Sequence, residues 1–327
     1  MTPGYWRDKK ILVTGASGFL GSALTEALLV AGARVVALLR DEEPESEFFR
    51  RGLARRVVGV RGDLASYPLV ERALNEYAID TCFHLAAQPL VTVANRSPLS
   101  TFESNIKGTW NVLEACRRQP LVKRVVVASS DKAYGESRQL PYVEDAPLVG
   151  GHPYDVSKSC ADLLAQSYFR SWRLPVAIAR CGNFYGGGDL YWDRIVPGTF
   201  RSLARGEQPV IRSDGSLVRD YFYIRDVVTA YLTLAEALDR PEVQGEAFNF
   251  GTETPTSVLE LVRAMRATAG RPDLEPIVLG SSPNEIPAQY LSTEKARRLL
   301  NWRPDYTLAR GLCETWAWYL AYFNNYD

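Results

Sequence analysis

The chain has 327 residues, 46% of them hydrophobic and 23% charged, which is enough for a large core and, at roughly one domain per 150 residues, for about two lobes. Lysine plus arginine equal aspartate plus glutamate at 38 each, so there is no basic excess to hold nucleic acid and any bound phosphate must be held locally. No stretch is apolar enough to span a bilayer and no secretory signal stands at residues 1–10, so a soluble, cytoplasmic protein is expected, without a membrane partner.

Lys10–Thr14 is a short apolar run that meets glycines at once; Phe19–Val30 has helical spacing and Arg34–Leu39 is again apolar and β-branched, giving strand, turn, helix and strand. The alternation continues through a strand at Arg56–Val60, a helix at Leu69–Tyr77, a strand at Thr81–Leu85, a helix at Ser100–Arg117 and a strand at Arg124–Ser129. A helix at Tyr154–Trp172 and a strand at Pro175–Arg180 follow. Strands separated by helices imply βαβ units, and so an α/β protein with a Rossmann-type, doubly wound parallel sheet. Near Tyr185 the texture changes: Gly186–Asp189 is glycine-rich, and Pro197, Pro209, Pro255, Pro283, Pro287 and Pro304 punctuate shorter elements. The expected division is a dinucleotide-binding domain at 1–184 plus roughly 218–250, and a smaller mixed α/β substrate lobe at 185–217 and 251–327.

The cysteines, Cys82, Cys116, Cys160, Cys181 and Cys313, are scattered, odd in number and without a C-x-x-C pair, so they read as buried small apolar residues. With His84 and His152 the only histidines, no metal centre is expected.

Thr14-Gly-Ala-Ser-Gly-Phe-Leu-Gly21 places glycines at 15, 18 and 21, directly after a strand and at the start of a helix. Gly15 would make the tight turn, Gly18 would let backbone N–H groups approach a pyrophosphate, and Gly21 would let the helix pack on the sheet. Gly15, Ser17, Gly18, Phe19, Leu20 and Gly21 are therefore the expected phosphate-binding set. About 20 residues on, a carboxylate would grip the ribose 2′-hydroxyl of NAD and an arginine would favour the 2′-phosphate of NADP. Leu39-Arg40-Asp41 presents both; an apolar residue at the acidic position followed by Arg40 leans slightly to NADP, while Arg40 as a surface arginine stacked on adenine stays open.

Tyr154 and Lys158 stand four apart in Pro153-Tyr-Asp-Val-Ser-Lys158, which puts them on one helix face. A lysine cation there would lower the phenol pKa from about 10 and make a tyrosinate accessible near neutral pH. A hydroxyl at Ser129 or Ser130, ending the preceding strand, completes an acid/base constellation.

With these motifs the chain resembles the extended short-chain dehydrogenase/reductase family over nearly its whole length. The resemblance implies that Gly62-Asp63-Leu64 contacts adenine, with a turn-capping aspartate as the plainer alternative, and that His84-Leu85-Ala86-Ala87 lies beside the cofactor. It implies that Asn105 lies in a structural helix segment, that Arg180-x-x-Asn183-x-Tyr-Gly186 enters a sugar-nucleotide site, and that the helices at 100–117 and 154–172 pair in a homodimer. Ser129-Ser-Asp-Lys-Ala-Tyr-Gly135 bears on the reaction: a 4-epimerase needs only hydride exchange at C4, whereas a 4,6-dehydratase also removes a C5 proton and expels the C6 hydroxyl. Asp131 and Lys132 supply two further acid/base groups and resemble both CDP-glucose 4,6-dehydratases and inverting UDP-N-acetylglucosamine dehydratases; the segments from Gln88, Gly150, Gly182 and Asp193 resemble the first, although Asp220-Tyr-Phe-Tyr223 departs from them. The expected catalytic set is thus Ser130, Asp131, Lys132, Tyr154 and Lys158. The expected substrate contacts are Gln88, Ser130, Asn183, Arg194 and Arg219, the two arginines as forks for a nucleotide-sugar diphosphate. A 4-epimerase and a non-catalytic NAD(P)-binding protein are the alternatives.

Overall fold

The computed structural model describes residues 2–281 and 285–326, so Pro283 lies outside the described residues. Seven parallel strands form the main sheet in the order Ala247–Phe250, Val176–Cys181, Arg124–Ala128, Thr81–His84, Lys10–Thr14, Arg34–Leu39, Val58–Arg61. Their runs of buried β-branched residues follow from being covered on both faces. The period of two divides them: Ile11 and Val13 join one core with Leu24 and Leu28, while Leu12 joins the other with Val70, Leu74 and Val112. All strand C-termini therefore meet one edge, where a doubly wound sheet binds its ligands.

The smaller lobe is built around the strand Val218–Tyr223, which pairs antiparallel with Pro255–Ser257 and parallel with Asn183–Tyr185 and Ala288–Gln289. A parallel pair, Val210–Ile211 with Ile277–Val278, lies apart from it. The sequence reading groups residues from 218 with the large lobe; in the structure the strand Val218–Tyr223 belongs to the smaller sheet instead. The next helix, Ile224–Ala237, packs Val227, Ala230 and Leu234 into the large core, so the chain changes lobes between Tyr223 and Ile224. The C-terminal helix Leu308–Tyr326 covers the smaller lobe with aromatic contacts, Trp316 on Phe200 and Tyr319 on Trp192 among them.

Two further expectations are corrected. The helix read as Ser100–Arg117 is composite, with α-helix at Pro98–Phe102, a π-turn at Glu103–Lys107 and α-helix at Gly108–Arg118; π-turns of this kind occur mostly at functional sites. Cys82, Cys116 and Cys181 are buried as expected, but Cys160 is half-buried and Cys313 is exposed on the outer face of the last helix. No described helix is long and apolar enough to cross a membrane, and no group of three or more potential ligands for a metal occurs among the described residues.

Candidate active site

The glycine turn has almost no room for side chains. Gly15 adopts φ +71°, and a Cβ there would lie 2.8 Å from the Ala86 backbone. A Cβ on Gly21 would stand 1.9 Å from the Gly15 carbonyl. The Gly18 N–H donates to that carbonyl at 3.1 Å, and no side chain caps the helix Phe19–Val30. Its first N–H groups and positive dipole end are thus available to an anion, which fits a dinucleotide pyrophosphate.

Every residue expected to touch the cofactor lines one cleft of about 420 Å³: the glycine turn, Arg40, Asp63, Leu64, Leu85–Ala87, Tyr154 and Lys158. Gln88, Ser130 and Arg194 line it too. Asp63 also accepts the Ala65 N–H at 2.8 Å, so the turn-capping role is present as well.

The strand ends are tied by a chain of hydrogen bonds. Thr14 Oγ1 accepts from the N–H groups of Leu85 and Ala86 at 3.1 and 3.2 Å and pairs with His84 Nδ1 at 2.9 Å. His84 Nε2 meets Thr109 Oγ1 at 3.0 Å, and that hydroxyl donates to the Asn105 carbonyl. Burial pushes the imidazole down to about 3, so it is neutral and links the two hydroxyls as donor and acceptor. Asn105, on the π-turn, bonds both backbone groups of Gln88 and the Ser157 hydroxyl. The Gln88 amide is spent on the Leu90 backbone and Thr101, so this expected substrate contact braces its own loop.

Ser130 caps the 3-10 turn Asp131–Tyr134 by accepting the Lys132 N–H and donates to Asp131 Oδ1 at 3.0 Å, and it lines the cleft together with Tyr154. Ser129 Oγ, from a residue that also lines the cleft, is buried without a hydrogen-bond partner among the described residues. Lys158 donates to the Ala128 carbonyl at 2.8 Å and lies 6.0 Å from the centre of the Tyr154 ring. The expected tyrosinate near neutral pH is not a property of the chain alone: burial, reinforced by Asp131, raises Tyr154 to about 12, against the weaker opposing effects of Arg194 and Ser130. Burial in turn lowers Lys158 to about 8.

Asp131 is 1% exposed, and its Oδ2 has no hydrogen-bond partner among the described residues. Neither Asp131 nor Lys132 lines the cleft, which the chain reaches here through Ser129 and Ser130; the Lys132 ammonium bonds Gln289, and burial together with Arg219 lowers its pKa. Asp155, beside Tyr154 in sequence, is a buried carboxylate whose charge interacts with Lys132, a neighbour no motif announced.

Arg194 pairs with Asp189 at 3.0 Å, stacks over Tyr191 at 4.9 Å and lines both the cleft and a second cavity of about 370 Å³. That cavity adds Arg201 and Arg212 to the set. Sequence reasoning missed both, although Arg194, Gly198 and Arg201 have the i, i+4, i+7 spacing of one helix face. Arg219 is corrected: it lines neither cavity and is held by Glu285 at 2.9 Å and the Val218 carbonyl. Asn183 also lines neither, its chain neighbours Gly182 and Phe184 lining the cleft in its place.

Residues 11–251 match the family described as the NAD dependent epimerase/dehydratase family. The CDP-glucose 4,6-dehydratase of Salmonella typhimurium is 29% identical, over 99% of this chain and 94% of that protein. The UDP-glucose 4-epimerase of Thermotoga maritima, solved with UDP-glucose, superposes with a TM-score of 0.88 at 28% identity, over 96% of this chain and 99% of that one. A dTDP-glucose 4,6-dehydratase from Streptomyces venezuelae, solved with NAD, gives 0.86 at 25% identity, over 97% and 99%.

Proposed function

The chain belongs to the NAD dependent epimerase/dehydratase family, and on that premise we propose that it is a nucleotide-sugar 4,6-dehydratase of the CDP-glucose type, forming a 4-keto-6-deoxy sugar. The observation that carries this reading is the buried Asp131 carboxylate, which has one unpartnered oxygen and sits between Ser130 and Lys132, close enough to Tyr154 to raise its pKa. Exchange of hydride at C4 alone has no use for such a group, whereas loss of a hydroxyl from C6 needs a proton donor.

Bound NAD supplies the acceptor and later donor of hydride. Tyr154 takes the O4 proton, Ser130 hydrogen-bonds the same oxygen, and Lys158 supplies a cation on the same helix face. Asp131 delivers a proton to the departing 6-hydroxyl. Lys132, whose burial favours the neutral amine, removes the C5 proton once it leaves Gln289 and returns a proton to C5 when hydride is delivered to C6. The large lobe holds the dinucleotide, and the small lobe holds the sugar nucleotide with its diphosphate at Arg194 and its base in the second cavity with Arg201 and Arg212. Trp110, Leu163 and Trp172, between 43% and 53% exposed on the helices Gly108–Arg118 and Pro153–Trp172, supply an apolar face for a cytoplasmic homodimer.

A second reading, a nucleotide-sugar 4-epimerase, is favoured by one observation: with Lys132 held on Gln289, the groups lining the cleft are those for reversible oxidation at C4. Asp131→Asn separates the two. The dehydratase reading expects water loss to fall at least about 100-fold while the bound nicotinamide is still reduced by substrate. Undiminished turnover would return Asp131 to a structural role.

A further inference from the structure

We infer that Gln289 is a positioning residue for Lys132: a neutral latch by which the smaller lobe holds that side chain behind the cleft, and from which it departs as an uncharged amine. The inference deepens the dehydratase reading and rests on it for the step that Lys132 performs.

The segment 285–293 is bonded on both sides. On one side lies the strand Val218–Tyr223: Val218 donates to the Pro287 carbonyl at 2.8 Å, Gln289 stands in register with Arg219, and Glu285 pairs with Arg219. On the other side lies Tyr142, whose N–H donates to the Tyr290 carbonyl at 3.0 Å and whose carbonyl accepts the Ser292 N–H at 2.8 Å. The Tyr142 hydroxyl in turn donates to the carbonyl of Gly135, the residue that closes the turn bearing Lys132. The backbone at 289 is therefore fixed from two directions, and its fully buried side chain meets the Lys132 ammonium with its carbonyl oxygen. The Nε2 group of the same amide is buried without a hydrogen-bond partner among the described residues. An unmatched buried donor costs about 1–3 kcal/mol, so stability alone does not account for an amide at this position.

What the amide provides is an acceptor without a charge. A carbonyl oxygen accepts an N–H from an ammonium and from an amine alike, so the contact survives loss of the proton. A carboxylate in its place would fix the ammonium, because a close opposite charge favours the charged form. The other charges that act on Lys132 do not close an ion pair on it among the described residues. Glu285 is held by Arg219, Asp131 accepts from Ser130, Asp155 acts from the helix Pro153–Trp172, and Arg219, across from Gln289, opposes the ammonium. The amine that leaves Gln289 takes the C5 proton. The C5–H electron pair becomes the C5=C6 bond as the C6–O bond breaks, and the resulting ammonium gives a proton back to C5 when hydride reaches C6.

Gln289→Glu and Gln289→Met separate a latch from a structural amide. Both keep the length of the side chain; the first adds a charge, and the second removes the hydrogen bond together with the unmatched donor. Lys132 is titrated by NMR in protein carrying isotopically labelled lysine, its signal assigned with Lys132→Met. It is expected to titrate at least about one pH unit higher in Gln289→Glu than in the wild type, and lower in Gln289→Met. With the nucleotide hexose that the wild type dehydrates, Gln289→Glu should lose water at least about tenfold more slowly than Gln289→Met at neutral pH, and the gap should close as pH rises. In both variants the sugar should still reduce the bound nicotinamide. A structural amide predicts the reverse order, because Gln289→Met has lost the bond that Gln289→Glu keeps. That order, or a Lys132 signal that titrates alike in all three proteins, overturns the inference. Should Gln289→Glu not fold, an unchanged Lys132 titration in Gln289→Met overturns it alone. Absence of water loss from every nucleotide hexose in the wild type, with Lys132 still shifted by Gln289→Glu, overturns the dehydratase reading and leaves Gln289 as the group that sets the charge of Lys132.

Discussion

Two turns leave the same edge of the main sheet and are built in opposite ways. The glycine turn at 14–21 closes mostly on itself, Gly18 on Gly15 and the Ser22 hydroxyl on the Gly18 carbonyl, with Ala86 as its near outside wall. The turn at 129–135 is held from a distance. Ser159 donates to the Ala133 carbonyl, Arg180 to the Tyr134 hydroxyl, Tyr134 to Asn249, Tyr142 to the Gly135 carbonyl and Lys132 to Gln289. A site made of backbone N–H groups needs little beyond its own few residues. A site made of side chains needs a scaffold drawn from the whole chain, and distant substitutions can reach it.

The largest effect expected is at the side-chain site itself. Tyr154→Phe should lower kcat by about 10²–10⁴-fold and leave cofactor affinity nearly unchanged, as steady-state kinetics and direct titration would show. Next comes the scaffold: Asp162 pairs with Arg180 at 2.8 Å, both side chains at most 2% exposed. Asp162→Ala should cost about 3–5 kcal/mol in denaturant unfolding, because it strands a buried guanidinium, and should slow turnover although Asp162 does not line the cleft. Full activity in that variant would break the contrast between the two turns.

Gly21→Ala tests the other side. Its methyl group meets the Gly15 carbonyl, so a loss of about 1–3 kcal/mol is expected, together with weaker cofactor binding. A further test concerns pH. Burial lowers Lys158 from 10.5 to about 8, so between those values the unfolded chain holds a proton that the folded chain has released. This residue therefore makes folding more favourable as pH rises through that window and opposes it as pH falls through about 8. The difference in unfolding free energy between wild type and Lys158→Met, measured across the window, should show that slope.

The same contrast explains what can be read from residues alone. The strand Lys10–Thr14, the helix Phe19–Val30 and the lining of the cofactor cleft follow from glycine spacing and from alternation over a few residues. Tyr154 and Lys158 follow from helical geometry, but their proton affinities do not, because burial is a property of the assembled cleft. Arg219 misled for the same reason: its partner, Glu285, lies far along the chain, and no local pattern distinguishes an arginine aimed at a ligand from one held in an ion pair. Residues 218–223 likewise group by sequence with the large lobe, and their pairing with the smaller sheet is settled by partners on either side of them in sequence.

The measurement that bears most directly on the proposed chemistry is mass spectrometry of products after the purified protein is incubated with NAD and, in turn, CDP-, dTDP-, GDP- and UDP-hexoses. The dehydratase reading predicts that one of these sugars loses a single water and that Asp131→Asn does not support the loss. A sugar of unchanged mass but altered configuration at C4 would contradict it and make the chain an epimerase.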